Sequence, residues 1–146
     1  MKDLQSIVPQ ISAAGGKAIA VTSEPEQHLQ QMLTSTGYAG EVIVDPKNDI
    51  AVALKHRDAL NVTISSKSGY EHGMVQPAVL VVTNDGAVLY SWAAVPGVRN
   101  LGGAKDRPNL KQILENAMAR MSGQPLLHKK YASQSFTQVM MQKFLG

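Results

Sequence analysis

Gln76-Pro77-Ala78-Val79-Leu80-Val81-Val82-Thr83-Asn84-Asp85-Gly86-Ala87-Val88-Leu89-Tyr90-Ser91-Trp92 holds two apolar, β-branched runs on either side of an Asn-Asp-Gly turn. Asp-Gly supplies the positive φ that a tight hairpin turn requires. The stretch therefore predicts two antiparallel strands, Ala78–Thr83 and Ala87–Trp92. Pro77 stands directly before the first of them.

Upstream of the hairpin the apolar spacing changes. Leu4, Ile7, Val8 and Ile11 recur at helical intervals until Gly15-Gly16, with Pro9 as a kink or a late start. Lys17–Thr22 follows as a short, mostly apolar run that suits a strand buried on both faces. Ser23 and Glu26 stand in capping-box relation with Pro25 in the first turn, which predicts a second helix with Leu29, Met32 and Leu33 inward and Gly37 as its left-handed stop. Glu41–Val44 reads as a further strand ended by Asp45-Pro46, and Ile50, Ala53 and Leu54 predict a short helix from Asp49 to His56. From Arg57 to Val75 the pattern weakens to a loop, with at most a short strand at Asn61–Ile64. Alternating helices and strands argue for an α/β protein with a parallel sheet between helical layers.

Downstream, Val95 to Arg107 is a glycine-rich connection. Leu110, Ile113, Leu114, Ala117, Met118 and Met121 then keep helical spacing until Gly123 and Pro125. Phe136, Val139, Met140 and Phe144 predict an extra amphipathic C-terminal helix. The expected organisation is one domain over 1–123 and a helical extension over 124–146.

Composition narrows the function. A chain of 146 residues with 44% hydrophobic and 17% charged residues can bury a single core. The net charge of +3 is scattered apart from His128-Lys129-Lys130, too sparse for the basic stripe of a nucleic-acid binder or an anionic membrane surface. No apolar run approaches the ~20 residues of a membrane span, and Met1–Gln5 lacks a signal-peptide segment, so a cytoplasmic location is expected. There is no cysteine. Disulfides, thiolate nucleophiles and cysteine metal ligands are excluded from this chain.

Taken in order, a βαβ portion, a loop, a hairpin entered through proline and a closing helix resemble a thioredoxin-like fold. The wording of the segments resembles the peroxiredoxin-like branch of the alkyl hydroperoxide reductase and thiol-specific antioxidant family. Leu4 to Ile11 followed by Gly15 to Ser23 looks like that family's first helix, strand and loop. Asp45-Pro46 resembles its aspartate-proline step, Gln76-Pro77-Ala78 through Trp92 its proline-plus-hairpin core, and Trp92, Pro96, Asn100-Leu101-Gly102-Gly103 and Asp106-Arg107-Pro108 the stretch that follows. The match spans roughly Asp3 to Met121. By this resemblance Gln76, Pro77 and Trp92 line the structural cleft beside the active site, and Pro77 takes the place of the fold's cis-proline, a form that an X-Pro bond adopts at a cost of only about 0.5–1 kcal/mol.

The departure from the family is as informative. Its members begin with a strand and a loop that bears the peroxidatic cysteine, whereas this sequence opens inside the helix that follows. By the resemblance, the strand without a counterpart is central, between Lys17–Thr22 and Ala78–Thr83. Its loss leaves two rows of unpaired backbone groups. Direct pairing of the neighbours, a segment of the tail or a strand from another chain could close the gap, and a homodimer covering the sheet defect is expected. The plainer reading is a fragment of a peroxiredoxin-like oxidoreductase whose cysteine is encoded upstream of Met1.

Candidate chemistry without sulfur is thin. His28, His56, His72 and His128, with Glu71 and Asp58, match no compact zinc motif, so no metal and no cofactor is expected. Glu71-His72 carries more weight because it lies on the approach to Pro77. Ser65, Ser66 and Ser68 near His72 could serve a hydrolase, but no Gly-x-Ser-x-Gly elbow is present. Gly97 to Gly103, with Arg99, Lys105 and Arg107, could offer amides and charge to a small anionic ligand before a helix capped at Asp106. His72, Arg99 and Arg107 are the candidate catalytic residues of an enzyme reading, a hydrolase or other thiol-independent activity in the former cleft. A non-redox binding or assembly module is the preferred reading.

Overall fold

The computed structural model describes residues 1–97 and 107–132. Its elements run α1 (Lys2–Ala13), β1 (Ile19–Thr22), α2 (Glu26–Thr36), β2 (Glu41–Val44), α3 (Asp49–His56), β3 (Ile64–Lys67), β4 (Tyr70–Val75), β5 (Ala78–Val82), β6 (Val88–Ala93) and α4 (Leu110–Met121). The chain is thus a mixed α/β protein. Arg99, most of the glycine-rich connection and the expected C-terminal helix lie outside the described residues.

Local chemistry explains the element ends. Gly37 stops α2 in the left-handed region at φ 66°. Asp45, buried after β2, accepts from the Asp49 and Ile50 amides, both at 2.9 Å, and so satisfies two free donors at the start of α3. Asn109 caps α4 through its side-chain oxygen, which accepts from Lys111 and Gln112 amides. The cap expected at Asp106 is therefore at Asn109. α1 runs through Pro9 rather than starting after it.

Three expectations need correction. Ser23 does not cap α2: the helix opens after Pro25 with no side-chain cap, and Glu26 is already its first residue. The chain leaves β1 through a turn in which Thr22 Oγ1 accepts from the Glu24 amide, and this carries Ser23 toward β4. β1 is not buried on both faces, since Ala20 is 8% exposed but Ile19 and Val21 are 44% and 48% exposed. Only one side of its period-two alternation meets packed protein. Gln76–Pro77 is trans, as are all described peptide bonds. The Gln76 amide donates to Thr63 O and Pro77 O accepts from Ala94, each at 2.8 Å, so this entry to β5 is held extended on both sides.

The region read as a loop contains a hairpin. β3 and β4 pair antiparallel, Ile64 opposite Val75 and Lys67 opposite Tyr70, with an irregularity between Ser65 and Lys67. Gly73 in β4 sits at φ 79°, and a Cβ there would stand 2.8 Å from the Ile64 side chain. Both the angle and the space require glycine.

The strands form three two-stranded sheets: parallel β1–β2, antiparallel β3–β4 and antiparallel β5–β6. In the last, Ala78 pairs with Ala93 and Val81 with Tyr90, as the hairpin reading predicts. β1 pairs with β2 and β5 with β6, and no ladder joins β1 to β5 among the described residues. Direct pairing of these two strands is thereby ruled out as the way the sheet closes. Ala51, Leu60 and Val62 form a buried cluster against Leu54, Val75, Ala78, Leu80 and Ala93, which seats α3 on the β5–β6 hairpin. α4 packs on β6 and α1 and buries Ile113, Asn116, Ala117 and Ala119.

Candidate functional site

Ser23 follows β1 and Asp45 follows β2, so the two loops emerge side by side at the carboxyl end of the parallel pair. Crevices at that end of α/β sheets are where ligands commonly bind. Here a groove of about 510 Å³ is lined by Ser23, Pro25, Lys47, Tyr70, Glu71 and His72, with Glu26 and Gln27 of α2 at its rim.

The groove has a rigid back wall. Ser23, 6% exposed, accepts from the Val75 amide at 3.1 Å. Asn48, 1% exposed and in the left-handed region at φ 62°, donates through Nδ2 to His72 O at 2.8 Å and Gly73 O at 3.1 Å. Asparagine tolerates that backbone region better than most side chains. Tyr70 donates its phenol to the Glu24 carboxylate, the two sides of the groove joined by a charge-assisted bond. That bond is the main reason the Tyr70 phenol titrates above its ordinary value, with burial and the Glu24 charge adding to it. β4 is therefore clipped to the loops after β1 and β2.

His72 sits in this groove, its backbone fixed by Asn48 and its side chain exposed. Lys47 faces a surface that also carries Glu26 and Glu71, so the lining is of mixed charge. Among the described residues no hydrogen bond joins the His72 ring to a serine or a carboxylate. Ser65 and Ser66 lie on β3 and Ser68 in the turn after it. Among the described residues no group of three histidines and carboxylates is close enough to hold a metal ion.

The other expected site residues are scattered. Gln76 and Pro77 form the extended entry to β5, and Trp92 lies opposite Val79 in the hairpin. Trp92 meets Tyr131 edge to face, centroids 6.0 Å apart and planes at 81°, while its Nε1 is buried without a partner among the described residues. Arg107 is exposed immediately before buried Pro108. The structure does not bring Arg107 to the groove that His72 lines, and Arg99 lies outside the described residues. The remaining histidines have local roles: His128 pairs with Glu115, His28 contacts Gln27, and His56 ends α3.

A second cavity, about 260 Å³, lies between β6 and α4. Tyr90, Arg120 and Lys130 reach it, and of these only Lys130 stands in a pattern that the sequence shows. His128-Lys129-Lys130 was the one visible basic cluster, and it marks this side of the molecule. Among the described residues no helix is long and apolar enough to cross a membrane. Comparison with protein families, with curated proteins and with solved structures finds no match to this chain.

Proposed function

We propose that the chain is a cysteine-free, peroxiredoxin-like protein that works as a non-redox binding or assembly module. On this reading it is a thioredoxin-like sheet in which the usual first strand has no counterpart among the described residues. The observation that carries the reading is the combination of a sequence without a single thiol and two strands, β1 and β5, that each keep one edge unpaired by any described strand. Supporting it are the element order, the parallel β1–β2 pair linked through α2, the β5–β6 hairpin and the packing of α4 on β6 and α1. A peroxidase of this architecture needs a thiolate, and methionine cannot replace it.

Free strand edges invite pairing with another chain. A homodimer that covers β1 and β5 accounts for both edges and for the exposed Ile19 and Val21 beside one of them. Sedimentation at micromolar concentration is expected to give twice the mass of a 146-residue chain. Hydroperoxide and ester turnover are expected to stay at background. A well-folded monomer would remove the assembly part, and conversion abolished by His72→Ala would replace the module with an enzyme acting in the groove.

A further inference from the structure

The cavity between β6 and α4 has a chemistry of its own, independent of the peroxiredoxin-like reading. β6 supplies Val88, Leu89, Tyr90 and Ser91, α4 supplies Asn116, Ala117 and Arg120, and the segment after α4 closes it with Leu126 and Lys130. That segment is latched. Asn116 exchanges two hydrogen bonds with the His128 backbone, both at 2.9 Å, and the His128 ring pairs with Glu115. The latch engages one N–H and the oxygen of the Asn116 side-chain amide, and among the described residues the cavity is lined by two cations and no carboxylate.

Arg120 is oriented by donation to Leu89 O, which occupies one of its five N–H groups. The Tyr90 hydroxyl is buried and has no partner among the described residues. Buried polar groups are almost always paired, so an orphan hydroxyl on a residue that lines the cavity marks an unfilled hydrogen-bonding position behind its wall. Burial also raises the Tyr90 pKa above its ordinary value, which keeps it a donor at neutral pH. Val88, Leu89, Ala117 and Leu126 form the apolar part of the wall, beside Ser91 and Asn116.

We propose that the β6–α4 cavity is a binding site for a small amphiphilic monocarboxylate, its carboxylate held by Arg120, Lys130 and the Tyr90 hydroxyl and its short aliphatic chain by the apolar wall. Two cations and a neutral donor suit an anion that accepts several hydrogen bonds. The volume lies just below the about 300–1,000 Å³ common for drug-sized ligands, which selects a short chain over a long one.

Amide chemical-shift titration with hexanoate, hexan-1-ol and hexylammonium tests the site on the full chain. Hexanoate is expected to give saturable shifts at millimolar concentration, centred on Val88–Ser91, Asn116–Arg120 and Leu126. Hexan-1-ol should bind at least about fivefold more weakly, and hexylammonium more weakly still, because neither supplies the anion. Tyr90→Phe should weaken hexanoate by about threefold to tenfold and Lys130→Gln by about threefold, with spectra otherwise those of the folded protein. The proposal is overturned if no saturable shift appears up to about 20 mM, if hexan-1-ol binds as well as hexanoate, if the shifts centre elsewhere, or if folded Tyr90→Phe binds hexanoate as the parent does.

Discussion

The groove at the ends of β1 and β2 and the cavity between β6 and α4 handle buried polarity differently. Around the groove, Ser23, Asp45 and Asn48 are all nearly inaccessible, and each bonds a backbone amide or carbonyl in a distant or following segment, with only Asn48 Oδ1 left unpaired among the described residues. Around the cavity, Asn116 and Glu115 of α4 tie down His128 and Arg120 reaches Leu89 O, yet the Tyr90 hydroxyl is buried with no partner among the described residues. One side is held by directional bonds that fix a hairpin to two loops. On the other, the bonds tie α4 to its following segment and to one strand carbonyl, and the rest of the contact is area, which is non-directional and tolerates an empty position. The groove wall is thus built for a fixed shape, whereas the cavity keeps unspent donors.

Asn48 is the residue on which the contrast bears hardest. Asn48→Ala removes two hydrogen bonds, strands the His72 and Gly73 carbonyls and puts a Cβ-bearing residue without a polar side chain at φ 62°. Each lost bond costs about 0.5–1.5 kcal/mol and the left-handed backbone about 1 kcal/mol more, so a loss of about 3 kcal/mol is expected in urea unfolding. Asn48→Gly should recover about 1 kcal/mol of that, because glycine removes the backbone cost and not the bonds. A loss below about 1 kcal/mol for the alanine variant would mean that β4 is held by its own pairing with β3, and the contrast would fail.

How much of this was legible in the sequence follows from the same division. The β5–β6 hairpin, the α3 boundaries and the Gly37 stop were readable because apolar periodicity and turn chemistry are local. β3 and β4 were not, since Ser65, Ser66, Lys67, Glu71 and His72 give an exposed, polar ribbon with no apolar alternation. What holds that ribbon is Ser23 and Asn48, 52 and 24 positions away from their respective partners. No sequence window contains both ends of such a bond. Ser23 illustrates the point: its capping-box spacing was real, yet its hydroxyl serves Val75. His72 was placed on the approach to Pro77 by order alone, while its groove is made by residues that carried no motif. Tyr90, an ordinary strand aromatic in the sequence, became notable only when its hydroxyl was left without a partner.

Tyr70 sharpens the comparison through pH. Its phenol is raised by donation to Glu24, then by burial and the Glu24 charge, so the folded value lies above the unfolded value near 10. The stability it contributes is fully present below about pH 10 and is lost as pH rises from there through the raised folded value, because the unfolded state gives up its proton first. The pair is only partly buried, so Tyr70→Phe is expected to cost only about 0.5–1 kcal/mol at pH 8. That difference from the parent should shrink toward zero as pH passes the folded value. Denaturant unfolding of both proteins at pH 8, 10 and 11 measures it. A difference that does not change with pH would show that the tyrosine acts through its ring alone.

Tyr90→Phe carries the smallest expected effect and the most discriminating sign. The parent buries a hydroxyl that finds no partner, and desolvation alone raises its pKa. Removing a buried polar group that makes no hydrogen bond relieves a desolvation penalty without breaking any contact, so the variant should be as stable as the parent or more stable by up to about 1 kcal/mol. The opposite sign is expected for the bonded polar residues around the groove, where deletion always strands a partner. Thermal unfolding at pH 7 reads the difference directly, because a change of this size moves the midpoint by about 2–8 °C for chains of this order of length. A clear loss of stability would mean that the hydroxyl is bonded in solution, and the unspent donor on which the cavity's anion chemistry rests would not exist.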